Sequence, residues 1–231
     1  DVSVEGLAKA MSGALALHSE YPKNKASLTA KRGAEPEFTR PELFPSLKTK
    51  YTSTLDYKGK VVQSCIHCHQ IGDAVRELAF SRKQKLPEST LFPYPHPKTV
   101  GLTLDPKETA TILKVEPESP AAKAGFREGD SIRSLAGQPL LSIADVQWVL
   151  HNTAADGAEL KAEVMRGTKA ESLTMPLSAG WRQKDDISWR ASTWGLRRKG
   201  LGGIFAVPLP EPSTTVIVPA GAGRASRLVT A

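Results

Sequence analysis

Cysteine is scarce in this chain: among 231 residues there are only Cys65 and Cys68. With no second C-x-x-C pair and no H-x-x-x-H, nothing in the sequence completes a four-ligand zinc site of the usual kind. Long apolar runs are missing as well. None approaches the ~20 residues that a membrane-crossing helix requires, so no membrane span is expected. No charged-then-apolar leader follows Asp1, and the chain reads as a mature product or an excised fragment. Aromatic residues make up 6%. No recognised nucleic-acid motif accompanies them, so nucleic acid is not an expected partner. The absence of G-x-S-x-G or a similar nucleophile setting argues against a serine hydrolase. No internal repeat is evident.

What is present suffices for a folded protein. Apolar residues at 40% support a core, and charged residues at 24% are ordinary. The length fits one large or two small domains. The net charge of +7 comes from scattered Lys and Arg, and solvated faces account for it better than a polyanion site.

The two cysteines sit in Cys65-Ile66-His67-Cys68-His69. C-x-x-C-H is the pattern by which a c-type haem is attached. Two intervening residues put both sulfurs on one side of a turn, where they add to the haem vinyl groups as thioethers. His69, tethered beside the porphyrin, reaches the iron with little loss of chain entropy. The pattern predicts one covalent haem c, with Cys65 and Cys68 as attachment points and His69 as proximal iron ligand. Three alternatives stay open. They are a reversible redox dithiol, a zinc site using Cys65, Cys68 and one of His67 or His69, and an inert pair with no cofactor. The strand-then-helix setting of a thioredoxin-like dithiol is absent, since only Val61-Val62-Gln63-Ser64 precedes. In Leu91–Pro97 alternating prolines fix φ and place His96 on a stiff strap. His96 is the candidate sixth ligand, with Met11, His18, Met165 and Met175 as alternatives.

Along the chain, residues 1–21 read as one amphipathic helix. Ser3 is its cap, and Leu7, Ala8, Met11, Ala14 and Leu15 recur at helical spacing. A chain that opens on a helix so abruptly suggests the end of an upstream domain. Residues 22–60 form a Pro-rich connector in which Phe38, Leu43, Phe44 and Leu47 are anchors, with a turn at Lys58-Gly59. Residues 61–97 are the haem segment. In it Val75, Leu78 and Ala79 share one helix face, a wall for a porphyrin or for a protein core. Residues 179–231 are a Trp- and Arg-rich extension with a Pro-, Ala- and Gly-rich tail. Trp181, Trp189 and Trp194 either dock that extension or stack on a ligand.

Between these lies the longest pattern. Strand-like Val100–Leu104 and Ala110–Val115 precede S-P-A-A-K-A-G-F-R-E-G-D-S-I at 119–132. A strand, a turn at Ala136-Gly137, a helix over Ser142–Asn152, and strands at 160–165 and 171–177 follow. Ser119-Pro120 starts a short helix and Gly125 closes it. Residues 98–178 resemble a PDZ domain of the bacterial kind. The expected fold class is therefore α+β: a small helical C-x-x-C-H segment followed by a partly open PDZ-like β-barrel with two helices.

The resemblance implies that an extended peptide or protein C-terminus adds as a strand to a sheet edge. Val100, Gly101, Leu102 and Thr103 match the loop and strand that receive the carboxylate. Val146 and Leu150 match the groove-facing helix positions. The order of helix, connector, Q-S-C-I-H-C-H-Q, PDZ-like region and W-R-A-S-T-W also resembles bacterial thioredoxin/PDZ-domain chains, without their thioredoxin-like domain. The combined expectation is an exported, periplasmic mono-haem cytochrome fused to a peptide-binding domain. It would act in electron transfer or haem-based sensing, with a redox partner protein. The alternative is a non-haem scaffold with a redox or metal site.

Overall fold

Turn-forming residues punctuate the second half of the chain, and the elements fall between them. The computed structural model describes residues 3–48, 68–187, 205–208 and 215–218. The chain divides into two units, Asp1–Pro36 with Pro87–Asp185 and Glu37–Leu86 with Asp186–Ala231.

In the first unit, strand β1 (Leu102–Leu104) pairs antiparallel with β2 (Ile112–Val115). Strands β3 (Ser131–Leu135), β4 (Gln138–Pro139), β5 (Gly157–Arg166) and β6 (Lys169–Ser178) form an open sheet in the order β4–β3–β5–β6. A single bridge, Thr111 to Ser131, joins the two sheets. Ala136 and Gly137, at φ 49° and 75°, make the β3–β4 turn. Two consecutive positive φ values give the turn whose twist matches that of paired strands.

Six helices are described. α1 (Val4–Ser19) and α2 (Lys25–Leu28) come first, followed by α3 (Cys68–Ser81), α4 (Glu88–Leu91), α5 (Pro120–Lys123) and α6 (Ile143–His151). Ser119 caps α5 by accepting from Ala122 N, and Asp145 Oδ2 accepts the Leu141 and Ser142 N–H groups at the start of α6. The core combines strand residues Leu102, Ile112, Ile132, Leu135, Val164 and Met175 with Val146, Val149 and Leu150 of α6. Each such side chain contributes roughly 1.5–3 kcal/mol when removed from water. The α+β class with an open, unclosed sheet is as expected.

An ion cluster ties the 127–131 turn to β5. Asp130, fully buried, accepts from Arg166 Nε and Nη2, both at 2.8 Å, and from Arg127 N at 2.9 Å. Burial opposes its charge, but the Arg166 and Arg127 contacts outweigh that, and the carboxyl sits below its ordinary range.

Helix α1 forms where expected, with Ser3 accepting from Gly6 N, but it is turned the other way. Leu7, Met11 and Leu15 are 56–68% exposed. The half-buried row is Ser3, Gly6, Ala10, Gly13 and Leu17. Small residues let the helix backbone approach closely. A Cβ on Gly6 would lie 2.1 Å from Pro106 O, and one on Gly13 would lie 2.8 Å from a Leu141 methyl.

In the second unit, α3 carries Ala74 into a cluster with Phe44 and Leu47, flanked by Phe38, Ile71 and Val75. The Phe38 and Phe44 rings meet at a 43° tilt with centroids 4.6 Å apart. Of the face Val75, Leu78 and Ala79, Val75 packs against this cluster. Strands β7 (Phe205–Pro208) and β8 (Thr215–Val218) pair antiparallel. Among the described residues no helix is long and apolar enough to cross a membrane.

Candidate functional site: a free strand edge beside a helix

β1 has β2 on one side only; among the described residues no strand pairs with its other edge. The register fixes which backbone groups that edge presents. Glu116 N donates to Gly101 O and Asp105 N to Thr111 O, so residues 101, 103 and 105 face β2. By antiparallel alternation, the N–H and C=O groups of Leu102 and Leu104 point outward.

Helix α6 runs alongside. The 3-10 turn Pro97–Val100 packs against both β1 and α6, so the start of β1 lies near one end of the helix. That end is the C-terminus of α6. Arg182 reaches the carbonyls of Leu150, His151 and Thr153 there, while Asp185, three residues on, holds the 96–99 turn. The opposite ends, Pro106 after β1 and Leu141 before α6, both touch α1.

Each residue predicted for this site can now be placed. Val100, Leu102, Val146 and Leu150 are all buried to within 1% and belong to the core beneath the groove. Gly101, at φ 91°, turns the chain into β1, and its N–H is held by Lys98 O inside the 3-10 turn. Thr103 is half-buried, with its backbone facing β2. What the site offers is therefore the outward backbone of Leu102 and Leu104, bordered by a row on α6. That row is Ile143, Gln147 and His151, at helical spacing and half-buried. It mixes polar and apolar residues, so an aliphatic pattern does not reveal it.

Three segments brace this arrangement. Tyr94 of the proline strap stacks on His151 with centroids 4.2 Å apart, and its carbonyl accepts from Gln147 Nε2 at 3.2 Å. Next to it, Trp148 stacks with Tyr94 at 6.3 Å between centroids and donates from Nε1 to Ala30 O, and Lys31 pairs with Asp145 at 2.5 Å. Last comes Gly180–Asp185. Trp181 Nε1 donates to Ala154 O at 2.8 Å, and the buried Arg182 closes the C-terminus of α6. Desolvation lowers the Arg182 pKa, with Glu88 opposing. Asp185 Oδ1 accepts from His96 N at 3.1 Å and Thr99 Oγ1 at 2.9 Å. Arg182 and Asp185 were not singled out from the sequence. Trp181, 2% exposed, is docked against the body rather than offered to a ligand.

A PDZ-domain family model matches residues 97–177. That stretch of the chain is a PDZ domain. Curated relatives carry the name probable periplasmic serine endoprotease DegP-like. The one from Pseudomonas savastanoi pv. phaseolicola is 31% identical over 106 residues, covering 46% of this chain and 22% of its own. One from Pseudomonas putida is 35% identical over 92 residues, covering 40% and 19%. One from Rhizobium meliloti is 34% identical over 87 residues, covering 35% and 17%. The chain thus spans about a fifth of the length of the curated relatives it matches. Among solved structures, a serine endoprotease from Yersinia pestis aligns over 34% of this chain and 28% of its own, with TM-score 0.31 and 22% identity. The HtrA3 PDZ domain bound to a phage-derived ligand aligns over 32% and 76%, with TM-score 0.27 and 24% identity.

These comparisons correct the expected function. The relatives are named as endoproteases, and cytochrome c, haem and electron transfer fall away as descriptions of what the chain does. The physical reason is one of information: C-x-x-C-H fixes three positions in five, whereas the PDZ pattern runs over some eighty residues with its turns in place. Cys65 and His67 lie outside the described residues, as do Trp189 and Trp194. Cys68 and His69 are the first two residues of α3. His96, expected on the iron, caps the Pro97–Val100 turn, its Nδ1 accepting from Lys98 N at 3.2 Å. Among the described residues no group of three or more His, Cys, Asp or Glu is placed to hold a metal.

Proposed function

We propose that the PDZ domain of this chain captures the C-terminal end of an extended polypeptide outside the cytoplasm, as a strand added to β1. The observation that carries this is the free β1 edge, with the backbone N–H and C=O groups of Leu102 and Leu104 directed outward and helix α6 sharing the core beneath. Backbone hydrogen bonds supply affinity in this mode, and side chains along the helix supply selectivity. Thr103 and Ile143 are the candidate selectivity positions, over a floor made by Val100, Leu102, Val146 and Leu150. The periplasmic name of the relatives supports an exported location.

The test works from the ligand side, because substituting Leu150 would damage the core rather than the groove. Peptides selected from a random library displayed with free C-termini are synthesised in three forms: free acid, C-terminal amide, and N-methylated at the last backbone nitrogen. Loss of a charge-assisted contact or of one ladder bond is expected to weaken binding about tenfold. Failure to select any peptide, or equal affinity for all three forms, refutes strand addition.

A further inference from the structure

We infer that helix α1 closes the far end of the groove, so that the site reads only the last few residues of its ligand; this rests on the peptide-binding reading above. The outward-facing backbone positions along β1 are 102 and 104; the chain then leaves the strand in a turn, with Glu108 N donating to Asp105 O. Residue 106 is proline, which has no N–H to give a ladder. Its carbonyl is already taken: Ser3 Oγ donates to Pro106 O at 2.9 Å. The ladder offered to a ligand therefore has rungs at Leu102 and Leu104 and stops.

What takes the next position is α1 itself. Gly6 sits against Pro106 O, Lys9 pairs with Glu108, and seven residues on Gly13 sits against Leu141. At ~1.5 Å per residue the helix covers about 10 Å between these contacts. It thus bridges from the strand lip of the groove to the helix lip. A peptide running antiparallel to β1 from the 97–101 turn meets this bar after its third or fourth residue. The glycines at 6 and 13 make so close an approach feasible.

The test uses the full chain. The best peptide from the selection described above is made with three, five and ten residues, keeping the C-terminus constant. For the unaltered chain, lengthening from five to ten residues is expected to change Kd less than about twofold. Two variants displace α1 by different means: Gly6→Val by steric clash with Pro106 O, and Lys9→Glu by repulsion from Glu108. With α1 displaced, Pro106 O becomes available to the ligand. One hydrogen bond of ~1 kcal/mol then tightens the ten-residue peptide about fivefold over the five-residue one. Affinity that climbs fivefold or more with length in the unaltered chain overturns the inference. So does a length dependence in both variants identical to that of the unaltered chain. Absence of binding at every length overturns peptide capture itself, and this inference with it.

Discussion

Replacing Arg182 with methionine keeps the bulk of a long side chain and removes every donor. In the structure Nη2 lies 3.2, 2.9 and 2.5 Å from the carbonyls of Leu150, His151 and Thr153, and Nη1 lies 3.4 Å from that of Phe92. The carbonyls of His151 and Thr153 lose this donor, while that of Leu150 keeps the Thr153 N–H. A buried acceptor left unsatisfied costs about 1–3 kcal/mol. Part of this is returned, because methionine does not carry a charge out of water. The guanidinium does, as its lowered pKa and its buried, unpartnered Nε show. The net expectation is a loss of about 3 kcal/mol. Urea denaturation followed by circular dichroism measures it. Hydrogen exchange at the Asn152 and Thr153 amides shows whether the fraying starts at the end of α6. Arg182→Lys retains the charge without the planar fork and is expected to lose about half as much. If Arg182→Met unfolds within 1 kcal/mol of the unaltered chain, the residue does not hold the helix end and the account of the clasp is wrong.

Other perturbations follow the same logic. Asp130→Asn breaks a bidentate pair with Arg166 at a fully buried site, and is expected to lose about 3 kcal/mol at about pH 6. The folded-state pKa of Asp130 is depressed, so its contribution is complete above the ordinary carboxyl range and disappears as pH falls through the folded value. Urea midpoints of chain and variant should therefore converge as pH is lowered below the ordinary carboxyl range; a constant gap would disprove the assignment. Gly101→Ala puts a Cβ 2.2 Å from the Ser119 side chain at φ 91°. Left-handed strain and overpacking together predict a loss of about 3 kcal/mol and weaker peptide capture, and unchanged thermal stability would contradict this.

The PDZ region was legible because its chemistry is local. Gly125, Gly129 and Gly137 sit at positive φ, where glycine is expected. Ser119 and Asp145 serve the two helix starts, as capping residues do. Helix α1 was legible as a helix but not in its orientation. Counting apolar side chains assigns Leu7, Met11 and Leu15 to the contact, whereas the contact is made where side chains are missing, at Gly6 and Gly13. Val146 and Leu150 mark the helix face turned to the core, because an aliphatic stripe reports burial. The half-buried row, with Gln147 and His151, carries no such pattern. Arg182 and Asp185 act through backbone groups distant in sequence, 29–32 residues away for the α6 carbonyls and 86–89 for the 96–99 turn, and no local periodicity encodes such a pairing. The cytochrome function that the relatives overturn was drawn for the whole chain from the five residues of C-x-x-C-H, a pattern of small extent.

The three bracing segments all lie outside the residues that the family pattern covers. Ala30 and Lys31, Tyr94, and Trp181 to Asp185 fall before residue 97 or after residue 177. This limits the portability of the domain. A piece cut at 97 and 177 would expose the indole N–H of Trp148 and strip the ion pair from Asp145. It would also leave the end of α6 without its guanidinium and the 96–99 turn without its carboxylate. The unit of function is therefore longer than the unit of homology, and transplanting the groove into another protein requires carrying these flanks with it.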